Sequence, residues 1–198
     1  MKWVALATLL GLAGYTYVTL HFRKDTRSSE PYADAKERFT VHRLREAGYS
    51  RVMVHAERPA DPAHTLAGLL RPLAEIHDAP AGLPAGLAET FPEPPKLPSS
   101  FHDVAAPAAH TAMLPYFVQY TCQLPDNREV LGETRVYVKE HDIAIVTDFD
   151  EIDGELLART ADATVLLQLP AGIFHSGENF DVLLIGKTGS KRWSLQVH

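Results

Sequence analysis

Hydrophobic positions follow three rhythms along this chain. From Trp3 to Leu20 the run WVALATLLGLAGYTYVTL holds eighteen residues without a charge. At 1.5 Å per helical residue such a run spans roughly 27 Å, close to the ~30 Å hydrocarbon core of a bilayer, and His21 and Phe22 make up the difference. Trp3 at one end and Tyr15 and Tyr17 near the other suit the membrane interface. The pattern predicts a transmembrane anchor over residues 1–24, touching lipid through 3–22. A cleaved signal peptide is the alternative, with Lys2 as its basic start. However, the A-x-A match from Ala5 to Ala7 falls inside the run, and Tyr15 to Phe22 stays hydrophobic where small residues should permit cleavage.

Residues 25–79 carry mostly helical signals. Ser28 or Ser29 followed by Pro31 opens a helix and Gly48 closes it. Ser50 to Ala56 alternates as a strand does. Asp61 and Pro62 then start a second helical pattern through Leu66, Leu69, Leu70, Leu73 and Ile76, interrupted at Pro72. Residues 80–107 hold seven prolines, which predicts a stiff, extended spacer.

From about residue 108 the period shortens to two. Tyr116, Val118, Tyr120, Cys122 and Leu124 alternate with Phe117, Gln119, Thr121 and Gln123. Glu133–Lys139 and Ile143–Asp148 form a hairpin around Glu140, His141 and Asp142. Ala163–Leu169, Phe180–Gly186 and Lys191–Val197 follow, with Trp193, Leu195 and Val197 on the core face. The expected fold class is therefore mainly β with a helical N-terminal part. It comprises a single transmembrane helix, a short α/β segment, a proline-rich spacer and a C-terminal antiparallel immunoglobulin-like β-sandwich over 108–198.

Charge refines this picture. The net charge of -6 argues against a nucleic-acid groove, which needs a surplus of Lys and Arg. Residues 121–160 hold ten acids against four bases, whereas 21–58 hold nine bases against six acids. The acidity thus belongs to the β domain, and the region after the anchor suits anionic headgroups. A single cysteine excludes an intrachain disulfide and any C-x-x-C motif.

Candidate chemistry is sparse. DFDEIDGE places Asp148, Asp150, Asp153 and Glu155 near one another, and calcium favours several carboxylates on a flexible loop. Ile152 stands where an EF-hand needs an oxygen at its fifth position, so the spacing is not that of an EF-hand. A cupredoxin-like copper site would use His, Cys and Met near the last loop. Here Cys122 falls in an early strand and the late loop offers only His175, so Cys122 reads as a small core residue. G-x-S-x-G and S-x-x-K are both absent.

The resulting expectation is a non-catalytic, single-pass, membrane-anchored interaction protein without a cofactor. It would be an accessory or assembly subunit of a bacterial envelope complex, with a membrane-protein partner and its C-terminal domain in the periplasm. In outline this is similar to bacterial assembly factors with one anchor and one extracytoplasmic β-sandwich. An ion-binding module with calcium at the 148–155 loop, and an anchored enzyme, are the alternatives.

Overall fold

The computed structural model describes residues 12, 15, 16, 31–58, 72–152, 157, 158 and 160–198, with side chains of the first helix described from Arg38 onward. Most of the expected anchor and most of the second helical pattern lie outside them. Among the described residues no helix is long and apolar enough to cross a membrane. The chain divides into Met1–Phe39 and Thr40–His198, and the second unit carries the fold.

Helix α1, Pro31–Glu46, ends as its sequence predicts. Gly48 adopts φ +81°, a conformation that costs glycine no steric clash. The Gly48 N–H donates to the Arg45 carbonyl at 3.0 Å and the Tyr49 N–H to the Leu44 carbonyl at 2.8 Å. These two bonds make a Schellman cap, which satisfies carbonyls that the helix end would otherwise leave open.

Two sheets follow. Strands β1 (Ser50–Val52), β7 (Glu129–Lys139), β8 (Asp142–Glu151), β10 (Asn179–Ile185), β11 (Ser190–Val197) and β3 (His77–Ala79) lie side by side in that order, and β5 (Ala109–His110) also pairs with β11. The second sheet runs β2 (His55–Glu57), β9 (Asp162–Leu169), β6 (Tyr116–Gln123) and β4 (Ser100–Ala105). The predicted hairpin forms, with Lys139 opposite Asp142, and β10 and β11 make another, with Leu184 opposite Lys191. One core lies between the sheets, drawing Tyr116, Tyr120 and Leu167 from one and Ile145, Leu184, Trp193 and Leu195 from the other.

Two expectations change. The sheets are mixed rather than antiparallel, because β10 pairs with β8, and β5 with β11, in parallel. β9 is the reason for the first of these: it crosses to the other sheet, so β10 returns beside β8 in the same direction. Second, the strand expected over Ser50–Ala56 is two strands, and the chain passes from one sheet to the other at Met53 and Val54. The positions 79/80 and 107/108 both fall within Thr40–His198.

The proline-rich stretch is a strap over the outer face of the larger sheet. Leu83, Leu87, Phe91 and Leu97 pack with Leu44 against Tyr137, Ala144, Val146 and Ile185. Prolines suit a strap that donates few backbone hydrogen bonds. Its ends are nevertheless tied. The Gly82 N–H donates to the Gly186 carbonyl at 2.8 Å, and the Lys187 N–H donates to the Pro98 carbonyl at 2.7 Å. A Cβ at Gly186 would collide with the Gly189 carbonyl oxygen and crowd Phe101, so this turn requires glycine.

Leu87 is fully buried in the middle of the short helix α2, Ala85–Ala88. Leu87→Ala should therefore destabilise the full chain by about 2–5 kcal/mol, the usual cost of a core cavity. The check is denaturant unfolding, and an unchanged midpoint would mean that the strap does not belong to the cooperative unit.

Candidate functional site

A groove lies at the crossing at Met53 and Val54. It measures about 290 Å³ and is walled by the β1–β2 crossing, by Leu131–Arg135 of β7 and by Val165 of β9. Three arginines, Arg51, Arg58 and Arg135, line it against one acid, Glu133.

Strand geometry sets these side chains. Arg51 lies directly across from Tyr137, which places it on the outer face with Glu133 and Arg135. Arg51 Nη2 meets Glu133 Oε1 at 2.6 Å, and Arg135 Nε meets Glu133 Oε2 at 2.9 Å. Desolvation alone would raise the Glu133 carboxyl, but the guanidiniums of Arg135 and Arg51 outweigh it and hold the group below its usual value. Arg58, just beyond β2, reaches across the gap between the sheets and donates from Nη2 to the Gly132 carbonyl at 2.7 Å. It thereby links the edge of one sheet to the edge of the other.

The acidic segment is only partly a loop. Asp148 and Asp150 lie in β8, two apart and so on one face, whereas Asp153 and Glu155 lie outside the described residues. Asp148 is half-buried; its Oδ1 accepts the Phe149 N–H at 2.8 Å and its Oδ2 stands 4.0 Å from Arg135 Nη1. Glu151 meets Lys96 Nζ at 3.2 Å, and that ammonium stands 5.9 Å from the Phe149 ring centre. Much of this negative charge therefore faces the protein's own cations. Among the described residues no three His, Cys, Asp or Glu side chains are arranged to hold a metal ion. Cys122 is free and buried, and burial pushes its thiol far up, as befits a small core residue.

Sequence spacing could not reveal a histidine-rich end of the fold. His141 and His175 are far apart in the chain, yet both face Glu178 Oε2, at 3.8 and 3.6 Å. Nearby, the His110 ring lies 5.2 Å from that of Tyr116 and 5.1 Å from that of Phe174. Its Nε2 is 2.9 Å from the Leu114 carbonyl oxygen. This cluster is tied into the core, since the Tyr116 hydroxyl accepts from Trp193 Nε1 at 3.1 Å and donates to the Pro107 carbonyl at 2.9 Å.

The groove and the histidine end differ in what they can do. The groove sets Arg58, held on the Gly132 carbonyl, beside Arg51 and Arg135, which share Glu133, and so offers N–H donors. The histidine end is a structural corner tied into the core through His110 and Tyr116. Desolvation holds His110 below its ordinary value of 6.5, although its bond to the Leu114 carbonyl works against that.

A lowered histidine takes up its proton more readily in the unfolded chain. Its stabilising effect is therefore complete above the ordinary imidazole value and is lost as pH falls through it toward the folded value. The melting temperature of the full chain should fall between about pH 7.5 and pH 5.5, and His110→Phe, which keeps a ring in place, should flatten that fall. An identical pH slope in the variant would remove His110 as the cause. No protein-family model, curated protein or solved structure matches this chain.

Proposed function

We propose that the chain is a non-catalytic, membrane-tethered interaction protein whose β domain is presented to a membrane-protein partner, as an accessory or assembly subunit of a bacterial envelope complex. The observation that carries this reading is the pairing of an uncharged eighteen-residue run, Trp3 to Leu20, with a folded unit that has a groove lined by Arg51, Arg58 and Arg135 at the β1–β2 crossing. A groove of this kind suits recognition of another chain.

In this reading the anchor lies in the inner membrane and the β domain in the periplasm. The immunoglobulin-like outline is supported by two sheets around one core, and the parallel β8–β10 pairing departs from it. Cross-linking the protein in its native membrane, followed by extraction in mild detergent and mass spectrometry, should recover one reproducible membrane partner. Recovery of the monomer alone at native expression would count heavily against the reading.

Calcium binding is the second reading. Its support is that Asp148 and Asp150 share a face at the end of β8, where Asp153 and Glu155 follow in sequence. Titration of the full chain with calcium should then release or absorb heat and raise the melting temperature, and Asp150→Asn should reduce both effects. No heat and no thermal shift would dispose of it.

A further inference from the structure

The strap leaves one part of the larger sheet's outer face incompletely covered. There Ala144 of β8, Leu183 of β10 and Arg192 of β11 lie in one row, and Asp142 and Asp181 lie side by side in the next. Residues 79–84 and Tyr49 rise around them and leave a cavity of about 380 Å³. That is within the roughly 300–1,000 Å³ of small-molecule sites. Tyr49, Leu83 and Leu183 are only half-buried, although they pack with the cluster beneath the strap. A ligand that covers them gains from apolar burial.

Charge selects the ligand. Two acids and one base line the cavity, namely Asp142, Asp181 and Arg192. Asp181 is satisfied within the sheet, since one of its oxygens accepts from Arg192 Nη2 and the other from Ser194 Oγ at 3.0 Å. Asp142 is not. Among the described residues its side chain stands in no ion pair and no hydrogen bond, and Asp181 beside it adds a second carboxylate. Lys139, across the hairpin from Asp142, holds its ammonium 5.1 Å from the centre of the Tyr49 ring and does not line the cavity. Such a surface charge offsets Asp142 only weakly through solvent. Burial first and the Asp142 charge second raise the Tyr49 hydroxyl, so the phenol stays protonated beside that carboxylate.

We propose that this cavity binds a small organic ammonium ion, with its nitrogen on the Asp142 carboxylate and its apolar body against Leu83, Ala144 and Leu183. An ammonium–carboxylate contact is a charge-assisted hydrogen bond, stronger than a neutral one. An anion would meet Asp142 with like charge, and a neutral apolar molecule would strip water from that carboxylate without replacing it. The cavity shares no residue with the groove at the β1–β2 crossing. It goes beyond the interaction reading and does not rest on it.

The test uses the full chain in mild detergent and three compounds with one ring system: tryptamine, tryptophol and indole-3-acetate, which end in an ammonium, a hydroxyl and a carboxylate. Isothermal titration against matched detergent blanks should show tryptamine binding at least about fivefold more tightly than tryptophol, with indole-3-acetate weaker still. Asp142→Asn should bring tryptamine down to the level of tryptophol and leave tryptophol unchanged. Lys139→Met should tighten tryptamine, because it removes a cation that competes for Asp142. Leu183→Ala should weaken tryptamine and tryptophol alike, by at least about twofold, with the melting temperature checked. Arg58→Ala, in the other groove, should change neither.

Equal affinity for tryptamine and tryptophol, tryptamine binding that survives Asp142→Asn, or no heat with any of the three compounds would each overturn the proposal. None of these outcomes bears on a membrane partner, so the interaction reading stands or falls on its own cross-linking experiment.

Discussion

The fold depends on the need to cover both faces of its central strands. Five consecutive residues of β8, from Ile143 to Thr147, are buried. A strand covered on one face alternates buried and exposed residues, so an unbroken buried run demands a layer on each side. Ile143 and Ile145 face the second sheet, while Ala144 and Val146 join Tyr137 and Ile185 beneath the strap and the last turn of α1. The larger sheet is thus the middle of three layers. The proline-rich stretch, whose composition suggests solvent, is held in place by the apolar surface it covers.

The same constraint accounts for the polar groups that are buried. The Tyr120 hydroxyl crosses the core to within 2.8 Å of Thr147 Oγ1 and 3.4 Å of Thr134 Oγ1. Among the described residues no buried side-chain polar atom lacks a partner. A half-satisfied hydroxyl cluster would weaken the core, whereas a closed one ties the two sheets in a single register. Charges are placed differently: the ion pairs stand on the outer face and at edges, where solvent weakens them. Their contribution is to shape the surface more than to hold the fold.

The groove is a geometric by-product of one short segment serving two sheets. Ser50–Val52 pairs with β7 and His55–Glu57 pairs with β9. Such a segment pairs with only part of β7, which outruns it, and among the described residues a groove lies between the sheet edges. Arg58 spans that gap through the Gly132 carbonyl. Fold and candidate surface therefore share an origin, and the surface does not require an insertion or a separate domain.

Local signals were legible wherever a local rule governs. The cap at Gly48, the hairpin turn at Glu140 and His141, and the alternation of Trp193, Leu195 and Val197 follow from backbone sterics and burial on one face. The groove was not legible, since Arg51, Arg58, Glu133 and Arg135 come from separate strands and none forms a motif. His141 and His175 were likewise invisible as neighbours of Glu178. The sequence by itself determined the long strands from Tyr116 onward, their core faces and the turns, because period-two burial and turn chemistry are read over a few residues, whereas β3 and β4 lie in segments read as helix and spacer. Only the tertiary structure decided that β8 and β10 run parallel, that the prolines form a strap and that the arginines meet. Those outcomes depend on which apolar faces find cover, and that choice is made between segments far apart in the chain.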